Sequence, residues 1–248
     1  MLTHGLRISP RIARLSLKWF GWMLGVVLVS PLPHAALADS VAVPLTRLTG
    51  LVGPPGSGTA IFRADLSGVP FDTILSITLS DSNSGVGGSN GAFSGFDLDA
   101  VKLSTTLAAT AAAASAAVGL DVFDFSPAGT LFSPGSQRPP VALKLNGTDA
   151  TGSRVDAAFA TLDAFDAVWF GVGSVTLGDG GRISFNLTAP VSPVGLYLYI
   201  GEVSGDPGEA ISAQIEVSDV IVPEPTTTVL LGAGLLGLAA SRRTAREQ

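Results

Sequence analysis

Between residues 62 and 218 the chain is written in short runs of alternating apolar and polar residues, each closed by Gly, Ser, Asn or Pro. In Arg182 to Thr188, Ile183, Phe185 and Leu187 alternate with Arg182, Ser184, Asn186 and Thr188. In Ile211 to Ser218, Ile211, Ala213, Ile215 and Val217 alternate with Ser212, Gln214, Glu216 and Ser218. Phe62, Ala64 and Leu66 repeat the pattern, as do Leu75, Ile77 and Leu79, and Val141, Leu143 and Leu145. Successive side chains of a strand point to opposite faces, so a period of two marks a strand with one buried face. Leu196 to Ile200 is apolar on both faces and reads as a central strand. Turn-forming clusters, among them Asn83 to Gly91 and Ser133 to Pro140, separate the runs. Many short strands joined by turns predict a mainly β chain, an antiparallel β-sandwich of jelly-roll-like form.

Two stretches carry helical signals instead. Thr105 to Val118 is rich in alanine. Val155, Ala158, Phe159 and Leu162 recur at helical spacing after Ser153, a capping residue. One or two short helices are therefore expected at the periphery of the sheets.

Both ends of the chain have a different texture. Arg7, Arg11, Arg14 and Lys18 precede the apolar run Trp19 to Val29, and Ala36-Leu37-Ala38 supplies a small-x-small cleavage site. Residues 1–38 read as a cleaved secretion signal; the rival is an uncleaved anchor, against which the shortness of this run of 11 residues counts. At the other end Val222-Pro223-Glu224-Pro225 is followed by the apolar span Thr226 to Ala240 and by Arg242, Arg243 and Arg246. The two prolines remove two backbone donors, so no ordered strand continues through them, while Pro225 suits the first turn of a helix. From Pro225 to Ala240 a helix would run about 24 Å at about 1.5 Å per residue, against a hydrocarbon core of about 30 Å. Snorkelling arginines and local thinning close such a gap. The arginines belong on the cytoplasmic side, which leaves the body outside. A permanent tail anchor is the alternative to a processed signal.

The segment between, residues 39–221, reads as a single body, and residues 222–248 form the C-terminal signal. His4, His34, Met1 and Met23 all lie in the N-terminal segment and the chain has no cysteine. The body is thus without His, Cys and Met, which excludes Ser-His-Asp and Cys-His catalysis, disulfides and softer metals. Residues 39–222 hold seven basic and 18 acidic residues, a net charge of −11. Such a surface repels nucleic acid and anionic polysaccharide unless cations bridge, so no nucleic-acid partner is expected.

Oxygen-liganded calcium is the metal this composition leaves open. Asp81-Ser82-Asn83-Ser84-Gly85 begins like a calcium loop, but Ala92 stands where the closing glutamate of an EF-hand belongs. Asp97 and Asp99 share one face of a strand opposite Phe96 and Leu98. Two like carboxylates at this spacing repel unless they are hydrated, hydrogen-bonded or bridged by a cation. A calcium held by Asp97 and Asp99 with Asp81 or Asn83 is one reading, and solvated strand carboxylates are the other. The alternation slips at Ala100-Val101, which predicts a bulge. Gly53-Pro54-Pro55-Gly56-Ser57-Gly58-Thr59 lacks the lysine of a phosphate loop and runs into a strand pattern, so it reads as a turn. Asp163/Asp166 or Asp121/Asp124 are nominal glycosidase pairs.

The three-part tail resembles the PEP-CTERM sorting signal of bacterial exported proteins. Ser94-Gly95-Phe96-Asp97-Leu98-Asp99, Phe123 to Thr130, Leu177 to Gly181 and Leu198 to Val203 resemble stretches that recur in the bodies of such proteins. The resemblance implies export and processing near Pro223-Glu224-Pro225 by an exosortase. It places the protein on the outer side of the inner membrane before processing, and in the envelope, the exopolysaccharide or the extracellular space of a Gram-negative bacterium afterwards. It implies no activity for the body. A non-enzymatic surface or matrix protein is the leading expectation. The alternatives are a calcium-assisted carbohydrate-binding module using Trp169 or the Tyr197/Tyr199 region, and a glycan-active enzyme.

Overall fold

The structure is a computed structural model, and it describes residues 40–53, 58–85, 87–168, 172–203 and 213–223. The expected secretion signal, with Ala36 and Ala38, lies outside the described residues. So do Trp169 and the tail from Glu224 onward, including Pro225, Arg242, Arg243 and the expected membrane helix. Among the described residues no helix is long and apolar enough to cross a membrane.

Ten strands build two antiparallel sheets among the described residues. They are β1 (Ser40–Val43), β2 (Thr46–Arg47), β3 (Thr59–Asp65), β4 (Ile74–Asp81), β5 (Asp97–Ser104), β6 (Thr130–Ser133), β7 (Val175–Thr176), β8 (Arg182–Val191), β9 (Tyr197–Val203) and β10 (Ala213–Ser218). The first sheet has the order β1-β10-β4-β8-β6 and the second β2-β3-β9-β5-β7. From β4 onward each strand lies in the other sheet from the one before it, so among the described strands β2 and β3 are the one pair both consecutive in the chain and bonded to each other. That path suits the sequence, whose runs are separated by long Gly/Ser/Pro segments rather than by two-residue turns.

One apolar cluster draws on both sheets. Ile77 and Leu79 of β4, Ile183, Phe185 and Leu187 of β8, and Ile215 and Val217 of β10 meet Leu98, Val101 and Leu103 of β5 and Leu198 and Ile200 of β9. These are the apolar members of the alternating runs, so period two does set the buried face. The run from Leu196 to Ile200 becomes β9, flanked on both sides by β3 and β5. Its doubly apolar character has a structural cause. Leu198 and Ile200 face the shared core, whereas Tyr197 and Tyr199 belong to a second cluster with Leu48, Ile61, Ala108, Ala111 and Ala114. The second sheet is thus covered on its outer side by the alanine-rich segment. There α1 (Ala111–Ala116) forms a single short helix, with Thr110 Oγ1 accepting from Ala113 N at 3.1 Å as its cap.

The register of β5 on β9 shifts between Leu98 and Val101, the bulge that the broken alternation predicts. Two expectations fail. Val141, Leu143 and Leu145 form no strand; Val141 is 69% and Leu143 101% exposed. Pro139 and Pro140 remove two donors just before this run, and Ala142 N turns to the Gln137 side chain at 2.7 Å rather than to a neighbouring strand. The stretch after Ser153 forms turns, not a helix. Asp156 O accepts from both Phe159 N and Ala160 N, but Phe159 O is taken by Gly173 N and Thr161 N donates to Gly173 O. Pairing with residue 173 wins over continuing the helical turn.

Candidate functional site

The body hands over to its C-terminal signal at a defined place. On the outer face of the first sheet, Ser76 of β4 and Asn186 of β8 stand directly opposite each other in the register. Both are the polar members of alternating runs, which is why they face away from the core. After β10 the chain crosses this face. Ser76 Oγ donates to Val220 O at 2.7 Å, Asn186 Nδ2 donates to Val222 O at 3.0 Å, and Asn186 Oδ1 accepts from Val222 N at 2.8 Å. A primary amide thus closes a two-bond ring on the backbone of Val222, as a neighbouring strand would. Val222 and Pro223 then form one wall of a cavity of ≈ 480 Å³, whose other lining residues include Thr78, Leu131, Arg154 and Arg182.

The acidic end of β5 lies on the covered side of the second sheet. Asp97 and Asp99 do share the face opposite Phe96 and Leu98, yet they are not solvated. Asp97 accepts from Thr176 Oγ1 across the β5–β7 pair. Asp99 is 0% exposed; its Oδ2 accepts from Thr59 Oγ1 at 2.5 Å and its Oδ1 from Ala167 N at 3.0 Å. Burial raises the Asp99 carboxyl to about 6, with the charge of Asp166 pushing the same way and the Thr59 and Ala167 donors opposing. Hydrogen bonding is how this structure relieves the carboxylate pair.

Asp81 is engaged elsewhere. Its Oδ1 accepts from Asn83 N at 2.8 Å and from Gly180 N at 2.9 Å, and Asn83 itself adopts a φ of 55° in the turn. These hydrogen bonds of Asp81, Asp97 and Asp99 go to different residues. Among the described residues no three acidic, His or Cys side chains come together as a metal group. The loop beyond Asn83 does meet a cation, which sequence reading missed. Arg138 Nη1 donates to Gly85 O at 3.1 Å, Nη2 donates to Gly87 O, and Nε lies 3.3 Å from Asp179 Oδ2. Arg138 sits more than 50 residues away in a Pro-rich segment with no pattern of its own, so nothing local announces this role.

The aromatic expectation is corrected in part. Tyr199 is fully buried, its hydroxyl accepting from Ala108 N at 2.8 Å and donating to Thr106 O at 2.6 Å, so it presents no face to a sugar. The acid pairs are also rearranged. Asp124 Oδ1 accepts from Ser126 N at 3.0 Å and Asp166 Oδ1 from Thr161 Oγ1 at 2.6 Å. Asp121 and Asp163 instead line one cleft of ≈ 200 Å³ together with Lys102, Phe123 and Phe125. They are 42 positions apart, which is why neighbour spacing could not pair them. Phe125 and Asp163 also line an adjoining cavity of ≈ 230 Å³ with Arg154. The turn from Asp179 to Gly181 is as expected, closed by Gly181 N donating to Gly178 O at 2.9 Å. Thr59 opens β3 rather than a helix, and residues 54–57 of the preceding Gly/Pro segment lie outside the described residues.

No curated protein and no solved structure matches the chain. Residues 222–243 match the family described as the PEP-CTERM protein-sorting motif, which begins at the residue that Asn186 holds. An exosortase is the processing partner this motif implies. The chain carries a PEP-CTERM sorting motif and is an exported, exosortase-sorted protein.

Proposed function

We propose that the body is a non-enzymatic surface or matrix protein, delivered by its sorting motif to the cell envelope and its exopolysaccharide. The observation that carries this reading is the motif at residues 222–243, joined to a β body by a strap of a few residues. The two sheets have the strand order of a jelly roll, with β1-β10-β4-β8 and β3-β9-β5-β7 as its two halves, a scaffold common among surface and binding proteins. The absence of His and Cys from residues 39–222, and the commitment of Asp81, Asp97 and Asp99 to bonds within the chain, support a body that does no chemistry. Its charge of −11 favours a neutral polysaccharide, or an anionic one bridged by divalent ions.

A second reading has its own observation. The cleft shared by Asp121, Asp163, Phe123 and Phe125 offers carboxylates as acceptors for sugar hydroxyls beside an aromatic floor, the usual composition of a glycan site. Calcium assistance belongs to this reading. Binding of the purified chain to a glycan array, with calcium and with chelator, separates the two. Retention on envelope polysaccharide without a preferred glycan supports the matrix role. Selective binding lost in Asp163→Asn supports the glycan module, and turnover of any glycan refutes both.

A further inference from the structure

Processing needs the chain to be extended in an enzyme cleft, with its backbone groups available there and not to its own body. The strap after β10 is poorly placed for that. Val220 N donates to Ser218 Oγ at 3.3 Å and Val220 O accepts from Ser76. Val222 has both backbone groups bound by Asn186. Pro223 has no N–H, and the amide linking Val222 to Pro223 is tertiary, a poor substrate for a peptidase that grips backbone donors. The same objection applies to the bond between Glu224 and Pro225. Ile221 lies between the two held residues, and beyond Val222 the first secondary amide is the one that joins Pro223 to Glu224.

We infer that Asn186 is a clamp that sets the register of processing: it holds the chain through Val222 on the outer face of the first sheet, so that cutting falls beyond Pro223. Hydrolysis there adds one water across a C–N bond, leaving a carboxylate on the body and an amine on the severed tail. The inference rests on the processing reading of the sorting motif and adds to it a residue of the body, far from the motif in sequence. Ser76 is the second pin, placed beside Asn186 by the β4–β8 register. Asn186 is a positioning residue, since it touches the substrate segment without reacting.

The test uses the full chain in two arms. In the first, the protein is produced in an exosortase-bearing host and the C-terminus of the released form is mapped by intact mass. The parent should end at Pro223 or later. Asn186→Ala combined with Ser76→Ala should release a mixture with ends spread upstream into residues 219–222. In the second, the purified chain in detergent meets a broad-specificity protease. Loss of the two Asn186 bonds should raise the cutting rate within residues 219–222 about tenfold to thirtyfold, because cleavage of an opened segment follows its population. Asn186→Asp is the control for folding. It keeps an acceptor for Val222 N, loses the donor to Val222 O, and should give an intermediate effect with a cooperative melt. A parent chain that ends at or before Val222, or variants cut like the parent, would overturn the clamp. Full-length protein persisting in the host would sink the processing reading and the register with it. The protease arm would still decide whether Asn186 shields the strap.

Discussion

Asp99 gives the most exposed prediction, because its burial and its bonding pull in opposite directions. The side chain is fully buried and its carboxyl is raised from 3.8 to about 6, with burial the largest cause. A carboxyl whose pKa is higher folded than unfolded stabilises the fold at acid pH, where it is neutral in both states. That contribution is lost as the pH rises from about 4 through 6, as the folded group is forced to ionise. A shift of about 2 units corresponds to about 3 kcal/mol. Asp99→Asn removes the ionisation and keeps the shape. The carboxamide oxygen still accepts from Ala167 N, and the amide nitrogen donates to Thr59 Oγ1, whose hydroxyl turns to accept. The variant should therefore gain stability relative to the parent between pH 4 and pH 8, by up to about 3 kcal/mol, with no such gain below pH 4. Urea unfolding of both chains at pH 3, 4, 6 and 8 measures it, and all other titrating groups cancel in the difference. A difference that stays flat across that range would refute the reasoning. So would a parent Asp99 carboxyl carbon that titrates near 4 by NMR.

Three further outcomes follow from contacts of the cover layer and the loops. Tyr199→Phe leaves Ala108 N and Thr106 O without their buried partner and should cost about 2–3 kcal/mol, read from the shift of the urea midpoint at unchanged slope. Gly201→Ala places a methyl 2.7 Å from Phe165 Cδ1 and 2.8 Å from Thr59 Cγ2, in the middle of β9. Overpacking there should cost about 1–3 kcal/mol in the same assay, and a neutral result would mean that Phe165 moves aside freely. Arg138→Met removes the donors to Gly85 O and Gly87 O and should speed amide hydrogen exchange between residues 87 and 95 while leaving that of β9 unchanged.

What the sequence disclosed and what it hid divide along physical lines. Period two is a local property of a strand, so Ile183, Phe185, Leu187, Ile215 and Val217 could be placed in the core from spacing alone. The slip at Ala100-Val101 was legible for the same reason. Val141 and Leu143 carry the same pattern without a strand, because alternation records which residues can face a core and not whether a partner strand is present. Covering elements were hidden too. Asp97 and Asp99 read as solvent-facing because nothing near them announces that Thr59, Ala167 and Thr176 close over them from 40 to 79 positions away. Hence two carboxylates read as either calcium ligands or solvated side chains turn out to accept hydrogen bonds from within the chain. The sorting motif was legible in full from its three-part texture, whereas its attachment to Asn186 was not, since that contact spans 36 positions.

The topology gives that attachment a consequence for export. β10 is no edge strand; it lies between β1 and β4, with Val217 opposite Val41 on one side and Ile77 on the other. The shared core therefore closes only when residues 213–218 have arrived. Only three residues separate Ser218 from Val222, where the sorting motif begins. Contacts of such long sequence separation are slow to form, and the β1–β10 pair is among the longest in the molecule. The strap across Ser76 and Asn186 can form only after β10 has docked beside β4, since it extends from that strand. Presentation of the motif at its clamped register thus depends on a completed body. An unfolded chain would offer the same residues unheld, with every bond from 219 onward open.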